Sequence, residues 1–174
     1  MQTRSLNVLI TGAAGGMCRG INKRLAAAGH TLVCVDLDLE RCQAAAEELR
    51  RQGAHAFAFA ADVTREEEIE RLRRDVRAEV GDIHAIVNAA GILDRKMLLD
   101  HDVASFTRAI NINLIGPFAL IRAYAEELLA AGWGRIVNIS SIAGVLAACS
   151  GVRPSRTSCG SSAAPSGMTI AYFI

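Results

Sequence analysis

Lysine, aromatic residues and clustered charge are scarce in this sequence. Lys23 and Lys96 are the only lysines, and aromatic residues make up 5% of the 174 residues. The formal net charge is +1 and no block of like charge occurs. Composition therefore gives no electrostatic reason to expect a nucleic acid or an anionic membrane surface as a partner.

Disulfide frameworks, metal motifs and targeting segments are also missing. The five cysteines form no Cys-x-x-Cys pair and have no metal-ligand spacing with the four histidines. This pattern favours reduced thiols in a cytoplasmic protein and predicts no metal site. Residues 1–7 are polar, unlike the apolar segment of a signal peptide. No apolar stretch reaches the roughly 20 residues that cross a bilayer, so we expect no membrane span.

A glycine-rich stretch near the N-terminus is the most informative segment. Residues 8–18 read VLITGAAGGMC, and a helical pattern follows over residues 21–29. A strand, a tight loop and a helix start together aim backbone N–H groups and the positive end of a helix at a phosphate. Glycine suits such a loop because the turn needs unusual backbone angles and because side chains would hold a pyrophosphate away.

Strand and helix patterns alternate through most of the chain. We expect further strands at residues 31–36, 56–60, 83–87 and 135–140, and helices at residues 39–52, 66–80 and 103–131. The last helix is interrupted near Gly116 and Pro117. Residues 64–67 indicate a capping box, and the all-apolar strand at 56–60 predicts cover on both faces. Such alternation predicts an α/β fold, a doubly wound parallel sheet in three αβα layers.

The composition changes after residue 147. Residues 148–168 are rich in Ser, Gly, Ala, Pro, Arg and Cys, with little apolar periodicity, and no acidic residue follows Glu127. We therefore expect a nucleotide-binding domain over residues 1–147 and an atypical, irregular tail over residues 148–174.

Candidate ligand-binding residues follow each expected strand, and the carboxyl ends of parallel strands share one edge of a sheet. Asp36 lies 24 positions after Gly12, close to the spacing of an acid that accepts from a ribose 2′-hydroxyl. A carboxylate there favours NAD over NADP, with an ordinary solvated aspartate as the alternative. The expected cofactor-binding residues are Gly12, Ala14, Gly15, Gly16, Met17, Asp36, Leu37, Asp62, Val63, Asn88, Ala89, Ala90 and Gly91.

Five segments together resemble the short-chain dehydrogenase/reductase family. They are TGAAGGM at residues 11–17, DV at 62–63, NAAG at 88–91, NINL at 111–114 and GRIVNISS at 134–141. The resemblance covers about residues 6–147. It implies a Rossmann fold, a homo-oligomer, and NAD(P)-dependent oxidation or reduction of an alcohol or carbonyl, for example of a 3-oxoacyl or hydroxysteroid-like substrate.

The resemblance also implies catalytic residues. Asn113 matches the asparagine that helps to hold a proton relay, and Ser141 matches the serine that hydrogen-bonds the substrate oxygen, with Ser140 as the alternative. The family adds a tyrosine whose pKa is lowered by a nearby lysine, so that it can exchange the hydroxyl proton. That Tyr-x-x-x-Lys segment is missing here, because no lysine follows Lys96. We expect Tyr124, which precedes the serines, to pack in the core.

Cys18 is a second departure from the family pattern, which has a third glycine at this position. We expect the Cys18 side chain to crowd the start of the helix and to weaken NAD binding. A catalytic or redox role for this thiol is the less favoured alternative.

Similarity to the family ends abruptly near residue 148, which has two explanations. A frameshift in GC-rich DNA is one, because 17 of the 19 basic residues are arginine; a natural short variant is the other. Either one leaves the strand at 135–140 as an exposed sheet edge, which favours self-association. Three functions stay open: an NAD-dependent oxidoreductase, a non-catalytic NAD-binding domain, and an inactive fragment with a structural or interaction role.

Overall fold

The computed structural model describes residues 5–93, 102–140 and 168–173, in which six strands form a single sheet. The strands are β1 (Asn7–Thr11), β2 (Thr31–Asp36), β3 (Ala56–Ala60), β4 (Ala85–Asn88), β5 (Gly134–Ile139) and β6 (Met168–Phe173). All neighbouring strands are parallel, and their order is β3-β2-β1-β4-β5-β6. The order reverses between β1 and β4, so the predicted doubly wound α/β fold is confirmed.

Helices connect the successive strands from β1 to β5. They are α1 (Gly16–Ala27), α2 (Leu39–Arg51), α3 (Glu66–Glu79), α4 (Val103–Ile110) and α5 (Gly116–Ala130). A π-helical segment, Asn111–Ile115, joins α4 to α5. The predicted helices at 39–52 and 66–80 therefore match the observed ones to within one residue at either end.

Two apolar cores lie on opposite faces of the sheet, as three layers require. Side chains alternate along β1, so Val8 and Ile10 face one core while Leu9 faces the other. The first core contains the buried apolar side chains of α1 and α2, namely Cys18, Cys42, Ala46 and Leu49. The second core contains those of α3 and α5, namely Ile69, Leu72, Val76, Leu120, Tyr124 and Leu128. Helices therefore cover both faces of the sheet.

One of two local expectations is confirmed and the other is wrong. β3 lies at a sheet edge and Phe57 and Ala58 are only half-buried, but both of its faces are covered, because Ala56 is buried in the first core and Phe59 in the second. The capping box before α3 does not form, because Thr64 donates its N–H and hydroxyl to Asp62 Oδ1, at 2.9 and 2.7 Å. Glu68 instead accepts the N–H of Asp62 at 2.9 Å. The end of β3 is thereby tied to the first turn of α3.

The interruption of the long helix lies one turn before its predicted place. The N–H of Gly116 donates to the carbonyl of Asn111, which is the wide spacing of a π-helix. Gly116 itself packs against Val63, and a Cβ there would lie 2.8 Å from Val63 Cγ2. Pro117 occupies the first turn of α5, and because it has no N–H it cannot donate to a carbonyl of the preceding π-helical turn.

Part of the expected irregular tail is a strand. β6 pairs with β5 along its whole length, from Gly134 beside Met168 to Ile139 beside Phe173. The expectation of an irregular tail is therefore wrong at these residues, and β5 is not a sheet edge. Residues 169–173 are rich in β-branched and aromatic types, which favour strands, whereas the composition of the whole segment obscured them.

The helical stretch Val103–Ala130 bears on the expectation that no segment could span a membrane. Among the described residues, this helix is the one that is long enough and apolar enough to cross a membrane, by length and composition only. Its mean hydropathy is 1.2 over its most apolar window. The expectation rested on unbroken apolar runs, which this helix lacks. Its second half buries Leu120, Tyr124 and Leu128 against the sheet and α3, so that face belongs to the core.

Replacing Tyr124 with phenylalanine tests whether this tyrosine is a packing residue. Its hydroxyl is buried without a hydrogen-bond partner in the part of the chain that the structure describes, and burial raises its pKa. Because Tyr124→Phe removes this unpartnered group, we expect the free energy of unfolding to stay constant or rise by about 1 kcal/mol in urea denaturation. Leu120→Ala, its core neighbour, should lose about 2–5 kcal/mol. A comparable loss in Tyr124→Phe would contradict the packing role.

Candidate functional site

The carboxyl ends of β1 to β4 surround one cavity of about 300 Å³. The cavity lies at the point where the strand order reverses, which is where open parallel sheets bind ligands. Its walls include most of the predicted cofactor-binding residues: Gly12, Gly15, Asp36, Leu37, Asp62, Val63, Ala89, Ala90 and Gly91. The fold thus brings these residues from four separate segments to one place.

The loop after β1 is bonded to the loop after β4. Thr11 is buried, and its Oγ1 accepts the N–H groups of Ala89 and Ala90, each at 3.1 Å. Gly12 has a φ of +65°, and a Cβ there would lie 2.9 Å from the backbone of Ala90. Both the backbone angle and this close approach require glycine.

The next two glycines differ in their surroundings. A Cβ on Gly15 would lie 3.0 Å from the carbonyl oxygen of Gly12, whereas a Cβ on Gly16 would meet no atom within 4 Å outside its own helix in the part of the chain that the structure describes. Gly16 begins α1, whose first turn has free N–H groups and no acidic side chain. The positive end of this helix is therefore exposed and free to attract an anion.

Asp36 is bonded to the glycine loop across the cavity. Its Oδ2 accepts the N–H of Ala14 at 3.0 Å, and its Oδ1 accepts that of Asp38 at 3.4 Å. Arg41 also reaches the loop, because its Nη2 lies 3.5 Å from the carbonyl oxygen of Ala14. Leu37 is 73% exposed beside them. A carboxylate and a guanidinium thus lie together at this end of the cavity.

A second cavity, of about 640 Å³, lies beyond the carboxyl ends of β4 and β5. Met17, Asn88, Asn113, Asn138 and Ser140 line it, together with Gly91 and apolar residues of α5. Met17 is 57% exposed and reaches this cavity from the start of α1. Because Ala89, Ala90 and Gly91 border both cavities, an extended ligand can pass from one to the other over the glycine loop.

Asn113 lies in the π-helical segment and holds the loop after β4. Its Oδ1 accepts the N–H of Ile92 and its Nδ2 donates to the carbonyl of Ile92, both at 2.9 Å. The side chain of Asn113 is thereby committed to the backbone. A Cβ on Gly91 would lie 3.2 Å from Asn113 Oδ1, so glycine gives this contact room.

Asn88 and Asn138 form an amide pair between β4 and β5. Asn88 Nδ2 donates to Asn138 Oδ1 at 2.8 Å, and Asn88 Oδ1 is buried without a partner among the described residues. Asn138 was not a candidate from the sequence, and neither were Thr11, Asn22 and Arg41. Only their contacts with the loop residues identify them.

The structure does not describe two residues that were named in the sequence analysis. Ser141, the predicted catalytic serine, and Lys96 lie outside the described residues. Ser140, the alternative serine, lines the second cavity. Among residues 5–93, 102–140 and 168–173, no group of histidine, cysteine or acidic side chains is arranged to hold a metal ion.

The buried position of the Cys18 side chain contradicts the expectation that it crowds the cofactor side of the loop. The residue is 1% exposed, and its Sγ lies 3.9 Å from the carbonyl oxygen of Thr11, on the core side of the loop. It packs in the same core as Cys34 and Cys42. Burial, with a contribution from the Asp36 charge, raises the pKa of the thiol to about 11, so it stays protonated and unreactive at neutral pH.

Sequence comparisons agree with this geometry. The family model described as short chain dehydrogenase matches residues 6–152. The chain belongs to the short-chain dehydrogenase family. It is 32% identical to a 3-oxoacyl-[acyl-carrier-protein] reductase of Aquifex aeolicus, over 87% of this chain and 62% of that protein. It is 36% identical to an acetoacetyl-CoA reductase of Allochromatium vinosum, over 78% and 56% of the two chains.

Solved structures of this family superpose on the chain. NAD⁺-bound xylitol dehydrogenase gives a TM-score of 0.77 at 30% identity and covers 80% of this chain and 54% of its own. A gluconate 5-dehydrogenase from Burkholderia cenocepacia, in complex with NADP and tartrate, gives 0.78 at 30% identity, over 87% and 58%. The chain therefore spans a little over half the length of these relatives, which act on hydroxyl or carbonyl groups.

Replacing Cys18 with glycine tests its assignment to the core. We expect Cys18→Gly to lower the free energy of unfolding by about 1–2 kcal/mol, because it removes a buried side chain and places glycine within a helix. NADH affinity, measured by calorimetric titration, should change by less than about twofold, since the thiol lies behind the loop.

Cys18→Ala is the matched control, because it shortens the side chain but keeps helix propensity. It should lose less stability than Cys18→Gly. Tighter NADH binding by Cys18→Gly would restore the crowding interpretation.

Proposed function

We propose that this chain binds NAD along the carboxyl edge of the sheet. In this proposal Asp36 accepts from the adenosine ribose, the pyrophosphate lies against the glycine loop, and the nicotinamide end lies beside Asn113 and Asn138. The observation that carries the proposal is the open backbone at Gly16, at the exposed positive end of α1, where the preceding residue Gly15 lines the first cavity and the following residue Met17 lines the second. These residues fit a dinucleotide because its charged centre needs N–H donors without side chains above them.

The preference for NAD over NADP rests on Asp36. A carboxylate beside the ribose hydroxyls accepts a hydrogen bond from a 2′-hydroxyl and repels a 2′-phosphate. Arg41 acts in the opposite sense, because a guanidinium so close to the loop would attract a phosphate. Asp36 is the better-placed group, since its oxygens are oriented by two backbone N–H groups. We therefore propose NAD as the preferred cofactor.

The proposed reaction is hydride transfer between an alcohol and a carbonyl. A nicotinamide cofactor carries the hydride, and the protein has to orient the substrate oxygen and to exchange its proton. We assign the substrate oxygen to Ser141, with Ser140 as the alternative, and the support of the proton path to Asn113. Relatives named for 3-oxoacyl and acetoacetyl reduction support a carbonyl substrate.

A second candidate function is dinucleotide binding without turnover. It is favoured by the absence of a Tyr-x-x-x-Lys segment from this sequence, because in the family that segment supplies the phenol that exchanges the substrate proton. Tyr124 cannot take that role, since it is buried in the core on the far side of the sheet from α1 and its pKa is raised. This candidate keeps the same cofactor site.

We also propose that the chain is a homo-oligomer. Val103, Phe106, Ile110, Leu114 and Phe118 recur every three or four residues along α4, the π segment and the start of α5, and all are exposed. Such an apolar stripe is a usual contact surface between subunits. Light scattering of the purified protein tests this expectation.

Two measurements separate the candidate functions. Calorimetric titration with NADH and NADPH should give saturable binding with a preference for NADH. A hydride-transfer assay with pooled short alcohols and carbonyls then separates the two candidates, because measurable turnover excludes a purely binding role. Absence of any dinucleotide binding would overturn both.

The glycines of α1 offer a matched pair of variants. A Cβ added at either Gly16 or Gly20 would meet no atom within 4 Å outside its own helix among the described residues, so these residues leave room for alanine at both positions. We expect Gly16→Ala to weaken NADH binding at least tenfold, a loss of about 1.4 kcal/mol or more, because a bound pyrophosphate would meet the new methyl group. Gly20→Ala should bind NADH normally and gain up to about 1 kcal/mol in stability. Equal NADH affinity in both variants would place the pyrophosphate elsewhere.

A further inference from the structure

One peptide group of the glycine loop is held at both ends by side chains. The carbonyl oxygen of Ala13 accepts from Asn22 Nδ2 at 3.0 Å, and the N–H of Ala14 donates to Asp36 Oδ2 at 3.0 Å. These two atoms belong to the same planar unit, so a rotation that moves one must move the other. Asn22 on α1 and Asp36 at the end of β2 are therefore linked through a single rigid group.

Asn22 is an unexpected residue for its place in α1. It is 3% exposed, and its Oδ1 is buried without a hydrogen-bond partner among the residues that the structure describes. An unsatisfied buried acceptor destabilises a folded protein, so the amide of Asn22 has to make a contribution that offsets this cost. The bond to Ala13 is the one contribution that only the polar side chain makes.

We propose that Asn22 is a positioning residue for recognition of the adenosine ribose by Asp36. By holding the Ala13 carbonyl towards α1, Asn22 keeps the Ala14 N–H directed at Asp36 and so keeps that carboxylate turned for a 2′-hydroxyl. Asn22 itself is not among the residues that line the cavity around Asp36. The inference rests on the proposed dinucleotide site. It adds a residue that acts on Asp36 through the peptide group between Ala13 and Ala14.

The test compares ADP with 2′-deoxy-ADP, which differ only in the hydroxyl that Asp36 is proposed to bind. We expect the wild-type chain to bind ADP about tenfold more tightly than 2′-deoxy-ADP in calorimetric titration. In Asn22→Leu this ratio should fall to about two or less through weaker ADP binding, with 2′-deoxy-ADP changed by less than about twofold. Asp36→Asn should remove the preference as well, and adding Asn22→Leu to it should change nothing further.

A purely structural role gives the opposite pattern. If Asn22 only supports the fold, Asn22→Leu weakens both nucleotides equally and lowers the melting temperature, which would overturn the inference. We expect the melting temperature to change little, because Asn22→Leu removes the unpartnered oxygen but leaves the Ala13 carbonyl without its donor. Lys23→Ala, at the exposed neighbouring position, should leave the nucleotide ratio at its wild-type value.

A second variant and an independent measurement keep the result interpretable. Should Asn22→Leu fail to fold, Asn22→Ala tests the same bond, and amide hydrogen exchange at Ala14 should speed up in either variant relative to the wild type. Failure of the proposed function is recognised separately. A wild-type chain that binds neither NADH nor ADP overturns both proposals, whereas normal wild-type binding with an unchanged ratio in Asn22→Leu overturns this one alone.

Discussion

The bridge made by the Thr11 hydroxyl is the contact on which the site depends. Its oxygen accepts hydrogen bonds from two backbone N–H groups of the loop after β4. Gly12, which has no side chain, lets the backbones of the two loops pack directly against each other. These loops follow adjacent strands at the point where the strand order reverses. The two hydrogen bonds of Thr11 therefore hold in place the backbone that borders both cavities. Without these bonds the glycine loop and the Asn88–Gly91 loop would diverge as the sheet twists.

Bonds of the same kind hold each loop around the site. Asp62 organises the turn after β3 through Thr64, Asn113 holds the backbone of Ile92, and Asp36 holds Ala14. In each case a polar side chain satisfies backbone groups that lie beyond the sheet ladder and would otherwise need water. The loops are therefore preorganised around the cavities, which lowers the entropy lost when a ligand binds.

Much of this arrangement could be predicted from the sequence, because periodicity and glycine spacing report local geometry. The strand and helix order, the edge where the loops gather and the role of Gly12 all follow from such patterns. Contacts between distant residues do not: Thr11 to Ala89, Asn22 to Ala13 and Asn88 to Asn138 have no signature along the chain. Cys18 shows the limit most clearly, since the family pattern locates the residue but not the side of the loop to which its thiol points.

The π-helical segment changes which side of one continuous helix meets the rest of the protein. It accommodates one more residue than an α-helical turn would, which rotates everything beyond it by about 100° relative to α4. Upstream of the segment the helix buries no residue, whereas downstream Leu120, Tyr124 and Leu128 enter the core. One extra residue in the helix thus lets its first part lie at the protein surface while its second part packs in the core. Asn113 lies in the segment between these two parts.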